Sequence, residues 1–332
     1  MTGIAGKDCT GHVPGLAKER NTTTKNRDRP IHNHGVRYVA HLPCFLFHSW
    51  ALILEHYPFA TSFVFPASVH VRVSTIHRYT VESIFARAKY PERIRIGIVD
   101  QIEAGTDLSC DLPIVPCTTN ADQALCKYRD QIDVYEMEAG LAVGPTFARH
   151  VVQRMYRGEY YSLQIDSHTV MARHWDTDLI EQIESTNNEM AVLTHYLDDA
   201  RGAVDTDSGH VSKESRMVVC NANYEGSGRE RRLRHDLQQQ PDVLPAVEGV
   251  PQLQPYFSSD FAFSRGHFVL TVPYDPSLPM VQKEDEEISM AIRAFTNGYD
   301  FYTPRRSVAF DSSYDDRDHR KSFLQNRNQY KG

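Results

Sequence analysis

The amino-acid sequence predicts an α/β fold with a largely parallel sheet flanked by helices. Three observations lead to this prediction: strand-like and helix-like segments alternate, the strand-like segments are short and apolar, and polar residues follow one of these strands directly. Strands that alternate with helices form βαβ units, whose strands lie parallel in one sheet. Ligands of such sheets bind at the carboxyl ends of strands, so polar residues there are the first candidates for a functional site.

The first elements follow from hydrophobic periodicity. VHVRVS at 69–74 predicts a strand, and TVESIFARA at 80–88 places its apolar residues on one face of a helix. RIRIGIVDQ at 93–101 alternates isoleucine with polar residues and predicts a second strand. A loop that contains cysteines follows, and a short strand is expected near 132–135.

The middle of the chain has the clearest boundaries. Gly144 and Pro145 precede PTFARHVVQRMYR, and proline suits the first turn of a helix. Gly158 lies just past this segment, where a left-handed cap is needed. The strand YSLQI comes next, followed by a helix near 178–186 and the apolar strand MAVLTHY at 190–196.

The pattern breaks and then returns towards the end of the chain. Residues 198–250 are polar and aperiodic, which indicates an insertion or a flexible surface loop around a short strand. EDEEISMAIRAF at 284–295 predicts a last helix. Its expected buried face consists of Ile288, Ala291, Ile292 and Phe295.

The N-terminal segment, residues 1–66, differs from the rest. Residues 1–41 are basic and polar, as in a disordered arm, and an apolar stretch follows at 42–66. A basic flank before an apolar segment is typical of a signal anchor, although the run from Leu42 to Leu54 is shorter than the roughly 20 residues of a spanning helix. We therefore expect the folded domain at 67–323 and a tail at 324–332, with membrane association through 42–66 as an alternative.

Net charge and cysteine usage narrow the class of protein. The net charge of −7 argues against nucleic acid as the main partner, because phosphate binding needs a basic surface. The six cysteines form no C-x-x-C pair, so a zinc knuckle is not expected. Cys110, Cys117 and Cys126 suit either disulfides in a secretory lumen or free thiols in the cytosol, and the sequence leaves both open.

The segment QIDSH suggests a metal site at a strand end. Asp166 and His168 flank one residue, so both side chains can leave the same face of an extended segment. A carboxylate beside an imidazole can hold a divalent cation, which in turn can bind a diphosphate. The alternative is an Asx turn or a helix cap that needs no ligand.

Two further acidic clusters allow a functional and a structural interpretation. Trp175 and Asp176 suit a sugar-stacking plane beside a hydrogen-bonding acid, or a buried indole beside the N-cap of a helix that begins near Asp178. Asp285, Glu286 and Glu287 suit acid–base catalysis, but acids in the first turn are also stabilised by the helix dipole.

Several segments together resemble one enzyme family. YPERIRIGIVDQ, CKYRDQIDVYEMEAGLAVGPTFARH, YRGEYYSLQIDSHTVMARHWDTDLI, FAFSRGHFVLTVPYDPSLP and EEISMAIRAFTNGYDFYTPRRSV are similar to the polypeptide and hydroxyproline N-acetylglucosaminyltransferases. The resemblance runs from about 70 to 310 in consistent order. It implies a GT-A-type nucleotide-diphospho-sugar transferase with a Rossmann-like sheet, which uses UDP-N-acetylglucosamine and a divalent metal (Mn or Mg) with retention of configuration.

The resemblance also implies partners and a compartment. Family members glycosylate Ser/Thr of proteins in the secretory pathway, or a hydroxyproline of a cullin-ligase adaptor in the cytosol. We expect an acceptor protein or peptide and a cytoplasmic location, with a Golgi type II membrane protein as the alternative.

Site residues are expected from the same resemblance. Asp166, His168 and Asp311 are the expected metal ligands. The expected catalytic residues are Asp275, Glu286 and Glu287, and the expected nucleotide-sugar ligands are Arg78, Gln101, Arg149, Trp175 and Asp176.

Departures from the family pattern support a second interpretation. Val143 replaces an expected arginine, Asp260 and Asp285 replace expected glycines, and Asp311 and Ser312 stand where a histidine is expected. The turn after the first strand is also shorter than in the family. These changes suggest a catalytically impaired member that acts as a binding or regulatory module, or, for the divergent N-terminus and the missing turn, a faulty gene model.

Overall fold

The structure is a computed structural model that describes residues 61–65, 75–103, 105, 107–235, 243–278 and 283–312. The strands are β1 (Thr61–Phe65), β2 (Ile94–Ile102), β3 (Ile132–Glu138), β4 (Tyr161–Ile165), β5 (Thr169–Met171), β6 (Ala191–Thr194), β7 (Asp198–Asp199), β8 (Ser215–Arg216), β9 (Ala222–Glu225), β10 (Arg232–His235), β11 (Leu244–Pro245), β12 (Gln252–Gln254), β13 (Phe261–Arg265), β14 (Asp300–Thr303) and β15 (Ala309–Asp311). The α-helices are α1 (Thr75–Arg87), α2 (Ala124–Lys127), α3 (Pro145–Gln153), α4 (Trp175–Ser185), α5 (His267–Thr271) and α6 (Lys283–Thr296).

The central sheet of the described chain has eight strands in the order β12-β14-β6-β13-β4-β1-β2-β3. The half from β4 to β3 is parallel throughout, as the sequence predicts, and β14 is parallel to β6. β13 runs antiparallel to both of its neighbours, β4 and β6, and β12 runs antiparallel to β14. The sheet is therefore mixed, and the carboxyl end of β4 lies beside the start of β13.

Alternating side chains divide the core between the two faces of the sheet. Leu193 and Phe263 belong to a cluster with residues of α1 and α4, whereas their neighbours Val192 and Ala262 belong to a cluster with residues of α5 and α6. Val99 packs against α3 in a third cluster. Successive strand residues point to opposite faces, so this distribution is that of a sheet with helices on both sides.

The domain begins earlier than the sequence predicts. β1 (Thr61–Phe65) pairs with β2 and β4 at the centre of the sheet, although the predicted boundary was residue 67. The predicted strand at 69–74, the basic arm at 1–41 and the tail at 324–332 lie outside the described residues, as does 42–60 of the apolar stretch. Among the described residues, no helix combines the length and the apolar character that crossing a membrane requires.

The prediction for the buried face of α6 is partly wrong. Ile288 and Ala291 are buried, but Ile292 and Phe295 are 57% and 71% exposed. The other buried apolar residues on this helix are Met290 and Ala294. Helical spacing alone defines a stripe, but the neighbouring elements decide how far along the helix that stripe is covered.

The predicted insertion at 198–250 has structure of its own. It contains β7 to β11, and the hairpin of β9 and β10 contacts α6. This contact brings His235 next to the acidic first turns of α6.

Candidate active site

Asp166 stands at the carboxyl edge of the sheet, directly after β4. Ile165 is paired with Phe261, so the residues just beyond this pair, Asp166 and Asp260, are also adjacent. The Asp166 N–H donates to the Asp260 carbonyl (3.3 Å), and the Thr169 hydroxyl donates to the Asp166 carbonyl (2.7 Å). These bonds fix the backbone on both sides of the Asp166 side chain.

A three-stranded sheet brings Asp311 to the same place. β15 pairs with β5 and places Asp311 opposite Thr169. The backbone N–H and the hydroxyl of Ser312 both donate to the His168 carbonyl (2.9 and 2.8 Å). His168 Nε2 consequently lies 3.6 Å from Asp311 Oδ1 and 3.9 Å from Asp166 Oδ2. The three expected metal ligands are therefore neighbours.

The chemistry of these three side chains suits a divalent cation, but as they stand they do not enclose one. Within the described ranges, no group of three or more His, Cys, Asp or Glu side chains is arranged to hold a metal ion. All three side chains are partly exposed, at 18% for Asp166, 23% for His168 and 35% for Asp311. Their partial exposure leaves them accessible to a cation, and two carboxylates with an imidazole are suitable donors.

Arg149 links Asp166 to the start of α6. Pro145 occupies the first turn of α3 and Gly144 has a φ of 109°, so the helix starts as the sequence predicts. One turn later, Arg149 Nη2 lies 2.9 Å from Asp166 Oδ1, and Nη1 pairs with Glu286 Oε1. The Thr146 hydroxyl donates to Glu286 Oε2 (3.1 Å). Of the predicted site residues, Arg149 thus contacts Asp166 directly, and Glu286 is linked to Asp166 through Arg149.

These charges perturb one another because the site is buried. Burial acts to lower the pKa of Arg149, but the carboxylates of Glu286 and Asp166 outweigh it, so the pKa is raised and the guanidinium stays charged. Burial raises the pKa of Glu286, and Arg149 opposes this shift. Arg149 therefore limits how far burial raises the pKa of Glu286.

Glu287 belongs to a separate buried network. Its Oε2 accepts hydrogen bonds from the Tyr196 hydroxyl (2.8 Å) and from His235 Nδ1 (2.9 Å). Its Oε1 accepts from the backbone N–H and the hydroxyl of Ser259 (2.8 and 3.0 Å). The carboxylate is fully buried, and its contacts join α6 to β10 and to the segment before β13. Its predicted catalytic role stays a prediction, while its structural role is evident.

Arg78 and Gln101 contribute buried donors near the same edge. Both are buried, and Nε and Nη2 of Arg78 and Nε2 of Gln101 have no hydrogen-bond partner among the described atoms. The Thr80 hydroxyl donates to the Ser167 carbonyl (2.7 Å), which ties α1 to the turn between Asp166 and His168. Buried polar groups are nearly always hydrogen-bonded, so unpaired donors suggest a ligand-binding position.

Trp175 and Asp176 belong to the framework. The Trp175 side chain is fully buried and its indole N–H donates to the Ile84 carbonyl (3.0 Å), so it packs as a core residue and its expected contact with a sugar stays a prediction. Asp176 accepts from the backbone N–H groups of Lys89 and Tyr90 (2.8 and 2.9 Å). It is buried and holds the turn after α1, and its expected contact with the nucleotide sugar also stays a prediction.

Asp275 lies in an exposed turn. Its Oδ1 accepts from the Ser277 N–H (2.8 Å), and the residue lines a surface pocket of about 560 Å³ together with His150, Arg154 and Arg293. Among the described residues, no hydrogen bond or ion pair joins Asp275 to Glu286 or Glu287. The structure therefore does not bring all three predicted catalytic residues together.

Sequence reasoning missed the partners of Glu287. Tyr196 follows a strand that was predicted, but no local pattern marks it as a ligand of an acid. His235 lies in the aperiodic insertion, and Ser259 precedes a strand, so both depend on contacts distant in sequence. The local signal in this region is Asp260, an acid where the family pattern has glycine.

Comparisons with known proteins place these observations in context. Residues 114–332 match the family model described as Glycosyltransferase (GlcNAc), and no curated protein matches the chain. Solved structures that match include GalNAc-T7 with UDP, GalNAc and Mn²⁺, at 15% identity over 76% of this chain and 43% of that chain (TM-score 0.48). Others are S. aureus TarS 1–349, at 13% identity over 80% of this chain and 62% of that chain (TM-score 0.43), and the mannosyltransferase PcManGT from Pyrobaculum calidifontis in complex with GDP-Man and Mn²⁺, at 12% identity over 82% and 61% (TM-score 0.44).

The family match is the informative result. The chain spans 43% to 62% of the length of these three solved structures, and at TM-scores below 0.5 they support no argument about its site. The match over residues 114–332 includes Asp166, His168, Glu286 and Asp311. Together with the sheet order, it agrees with the predicted α/β fold of the GT-A type.

Proposed function

Since the chain belongs to the glycosyltransferase (GlcNAc) family, we propose that it transfers N-acetylglucosamine from UDP-N-acetylglucosamine to a protein hydroxyl. The acceptor is hydroxyproline or Ser/Thr, and the transfer retains the configuration of the sugar. The observation that carries the proposal is the convergence of Asp166, His168 and Asp311 at the carboxyl edge of the sheet.

Arg78 and Gln101 are the proposed nucleotide ligands. Their unpaired N–H groups are buried close to the edge where sheets of this class bind ligands. A uracil, ribose or diphosphate oxygen would satisfy them and remove the cost of leaving buried donors unpaired.

Asp166, His168 and Asp311 are the proposed ligands of a divalent cation. When bound, the cation supplies Lewis-acid chemistry that neutralises the charge developing on the departing UDP. The two carboxylates suit Mg²⁺ and Mn²⁺ alike, whereas the imidazole is a ligand of transition metals. Of the two metals expected from the sequence, the His168 contact therefore favours manganese.

Arg149 and Glu286 form the wall of the site behind Asp166. Glu286 is almost fully buried beside Arg149, so it can accept a hydrogen bond from a sugar hydroxyl only at the mouth of this cluster. We assign it to the sugar side of the site. The hydroxyl of the acceptor must approach from the open side, where Asp311 is the most exposed of the three metal ligands.

The cysteines support one of the two expected compartments. Cys117 and Cys126 form a disulfide with a Cα–Cα distance of 5.8 Å, and Cys220 is also disulfide-bonded. Disulfides persist in oxidising compartments, which supports the Golgi alternative over the cytoplasm. Alkylation of the native protein before reduction, with peptide mapping, should leave Cys117 unlabelled; labelling of both Cys117 and Cys126 would support the cytoplasm.

A UDP-release assay tests the proposed activity. With saturating Mn²⁺ and UDP-N-acetylglucosamine, we expect turnover by the wild type and a loss of about 100-fold or more in Asp166→Ala, because the cation loses a charged ligand. Asp122→Ala is the matched control, since Asp122 is an exposed acid in a loop outside the site.

Calorimetry with UDP separates the remaining outcomes. Binding of UDP that depends on Mn²⁺, together with turnover, supports the transferase. An absence of binding at millimolar UDP and of any turnover would leave the impaired-member alternative. Equal turnover in wild type and Asp166→Ala would remove Asp166 from the mechanism.

A further inference from the structure

Arg149 joins two acidic groups from distant parts of the chain. Its Nη2 lies 2.9 Å from Asp166 Oδ1, 17 residues away, and its Nη1 pairs with Glu286 Oε1, 137 residues away. The Arg149 side chain is 3% exposed and that of Glu286 is 1% exposed. The ion pair with Glu286 is therefore sheltered from water, where charge pairing is strongest.

The geometry of the guanidinium couples the positions of the two acids. Its nitrogens form a rigid planar fork, so fixing one carboxylate on Nη1 and the other on Nη2 fixes their relative orientation. Because Oδ1 of Asp166 is held by Arg149, it is Oδ2 that faces His168 at 3.9 Å. Thr146, on the same helix, holds the second oxygen of Glu286 at 3.1 Å. α3 thus sets both acids from one side.

These contacts leave Arg149 little capacity to bind the nucleotide directly, which was its expected role. Both terminal nitrogens are paired with carboxylates, and the side chain is almost fully buried, so the one remaining donor, the unpaired Nε, is enclosed behind these ion pairs. A diphosphate would have to displace Asp166 or Glu286 to reach it, and would leave that carboxylate buried without a partner.

We infer that Arg149 is a positioning residue, which holds Asp166 in the orientation that presents Oδ2 to His168 and holds the first turns of α6 against the site. It acts through Asp166 and Glu286 and does not contact the nucleotide. The expected effect on turnover rests on the proposed function. The bridge that Arg149 forms between Asp166 and Glu286 is a property of the fold and does not depend on it.

A stability cycle tests the bridge without any turnover. Asp166→Asn and Glu286→Gln are made singly and together, in the wild type and in Arg149→Met, and thermal unfolding is measured without ligand. Each single change leaves Arg149 one carboxylate, but the double change leaves it buried and unpaired. We expect the double variant to melt about 5 °C below the sum of the single effects, and the effects to add in Arg149→Met. Additive effects in both backgrounds would overturn the bridge.

Kinetics then separate positioning from nucleotide contact. Two variants are used: Arg149→Lys, and Arg149→Met/Glu286→Gln, which leaves no unpaired buried charge. In both we expect kcat to fall about 100-fold and the Kd for UDP to change less than about threefold. A rise of about tenfold or more in Kd with kcat retained would show direct nucleotide contact and overturn the inference.

Arg95→Met is the matched control. Arg95 also bridges two acids, Asp133 and Glu159, at 2.9 Å each, but at the beginning of β2. We expect it to lose a similar amount of stability while keeping kcat within about threefold of the wild type. Equal losses of kcat in Arg95→Met and the Arg149 variants would reduce Arg149 to a structural role. If the wild type shows no turnover, the proposed function fails, whereas the stability cycle still decides the bridge.

Discussion

Acidification should destabilise this fold through His195, which follows β6. The side chain is fully buried, its Nδ1–H donates to the Tyr196 carbonyl (2.7 Å), and its Nε2 has no hydrogen-bond partner among the described atoms. The ring lies 4.6 Å from that of Phe261. A second proton on Nε2 would therefore place a charge in an apolar surrounding. Burial accordingly lowers the pKa of His195 from 6.5 to about 4.

The direction of the pH dependence follows from the pH at which His195 is protonated in the unfolded and in the folded chain. The unfolded chain protonates His195 near its ordinary pKa, whereas the folded chain resists until about pH 4. The contribution to stability is complete above the unfolded pKa and is lost as the pH falls towards the folded one. Between pH 7 and pH 5 the loss is about 2 kcal/mol. The raised pKa of Glu286 acts in the opposite direction, because it favours the folded state at low pH.

A comparison of variants isolates this effect from the other titrating groups. Urea unfolding of the wild type and His195→Asn is measured at pH 7, 6 and 5. We expect the wild type to lose about 2 kcal/mol more than the variant over this range. His210→Asn is the control, because His210 is exposed and should leave the pH dependence of the wild type unchanged. Parallel pH profiles for the wild type and His195→Asn would refute the reasoning.

Two further predictions test the framework interpretation of expected site residues. Trp175→Phe should lower the free energy of unfolding by about 2 kcal/mol through the lost indole hydrogen bond and volume, with no change in UDP affinity by calorimetry; weaker donor binding at unchanged stability would favour a sugar contact. Glu287→Gln should cost about 3 kcal/mol in denaturant unfolding, because one end of the amide faces donors such as the Ser259 N–H or the Tyr196 hydroxyl; an unchanged midpoint would show that the network contributes little.

Local chemistry explains which elements were predictable. α3 begins where Gly144 and Pro145 predict it, because both residues act on the backbone of their own turn. Gly158 has the positive φ (101°) expected of it, but α3 already ends at Gln153, so the glycine turns the segment before β4 and does not cap the helix. The exposed Phe295 shows the limit of periodicity: the pattern identifies a helix, while the packing of distant strands decides which apolar residues are covered.

The site also contains residues that a short segment predicts and residues that depend on distant contacts. Asp166 and His168 lie two residues apart, so the strand pattern and the metal hypothesis came from one short segment. The resemblance, not any local signal, suggested Asp311, and the three-stranded sheet explains why it arrives beside His168. The bridge through Arg149 could not be predicted, because no property of α3 alone indicates that its arginine faces an acid 137 residues later.

The balance of charge at the edge leads us to expect that the proposed donor binds together with a cation. Asp166, Glu286 and Asp311 are three acids at this edge, and Arg149 forms ion pairs with two of them, Asp166 and Glu286. A diphosphate that entered this edge alone would meet an excess of negative charge at short range, where repulsion in a partly buried site amounts to several kcal/mol. The same excess attracts a divalent cation, so cation and nucleotide must stabilise each other's binding. In the proposed function, Asp311, which introduces a carboxylate where the family pattern has histidine, would therefore make nucleotide binding more dependent on the metal.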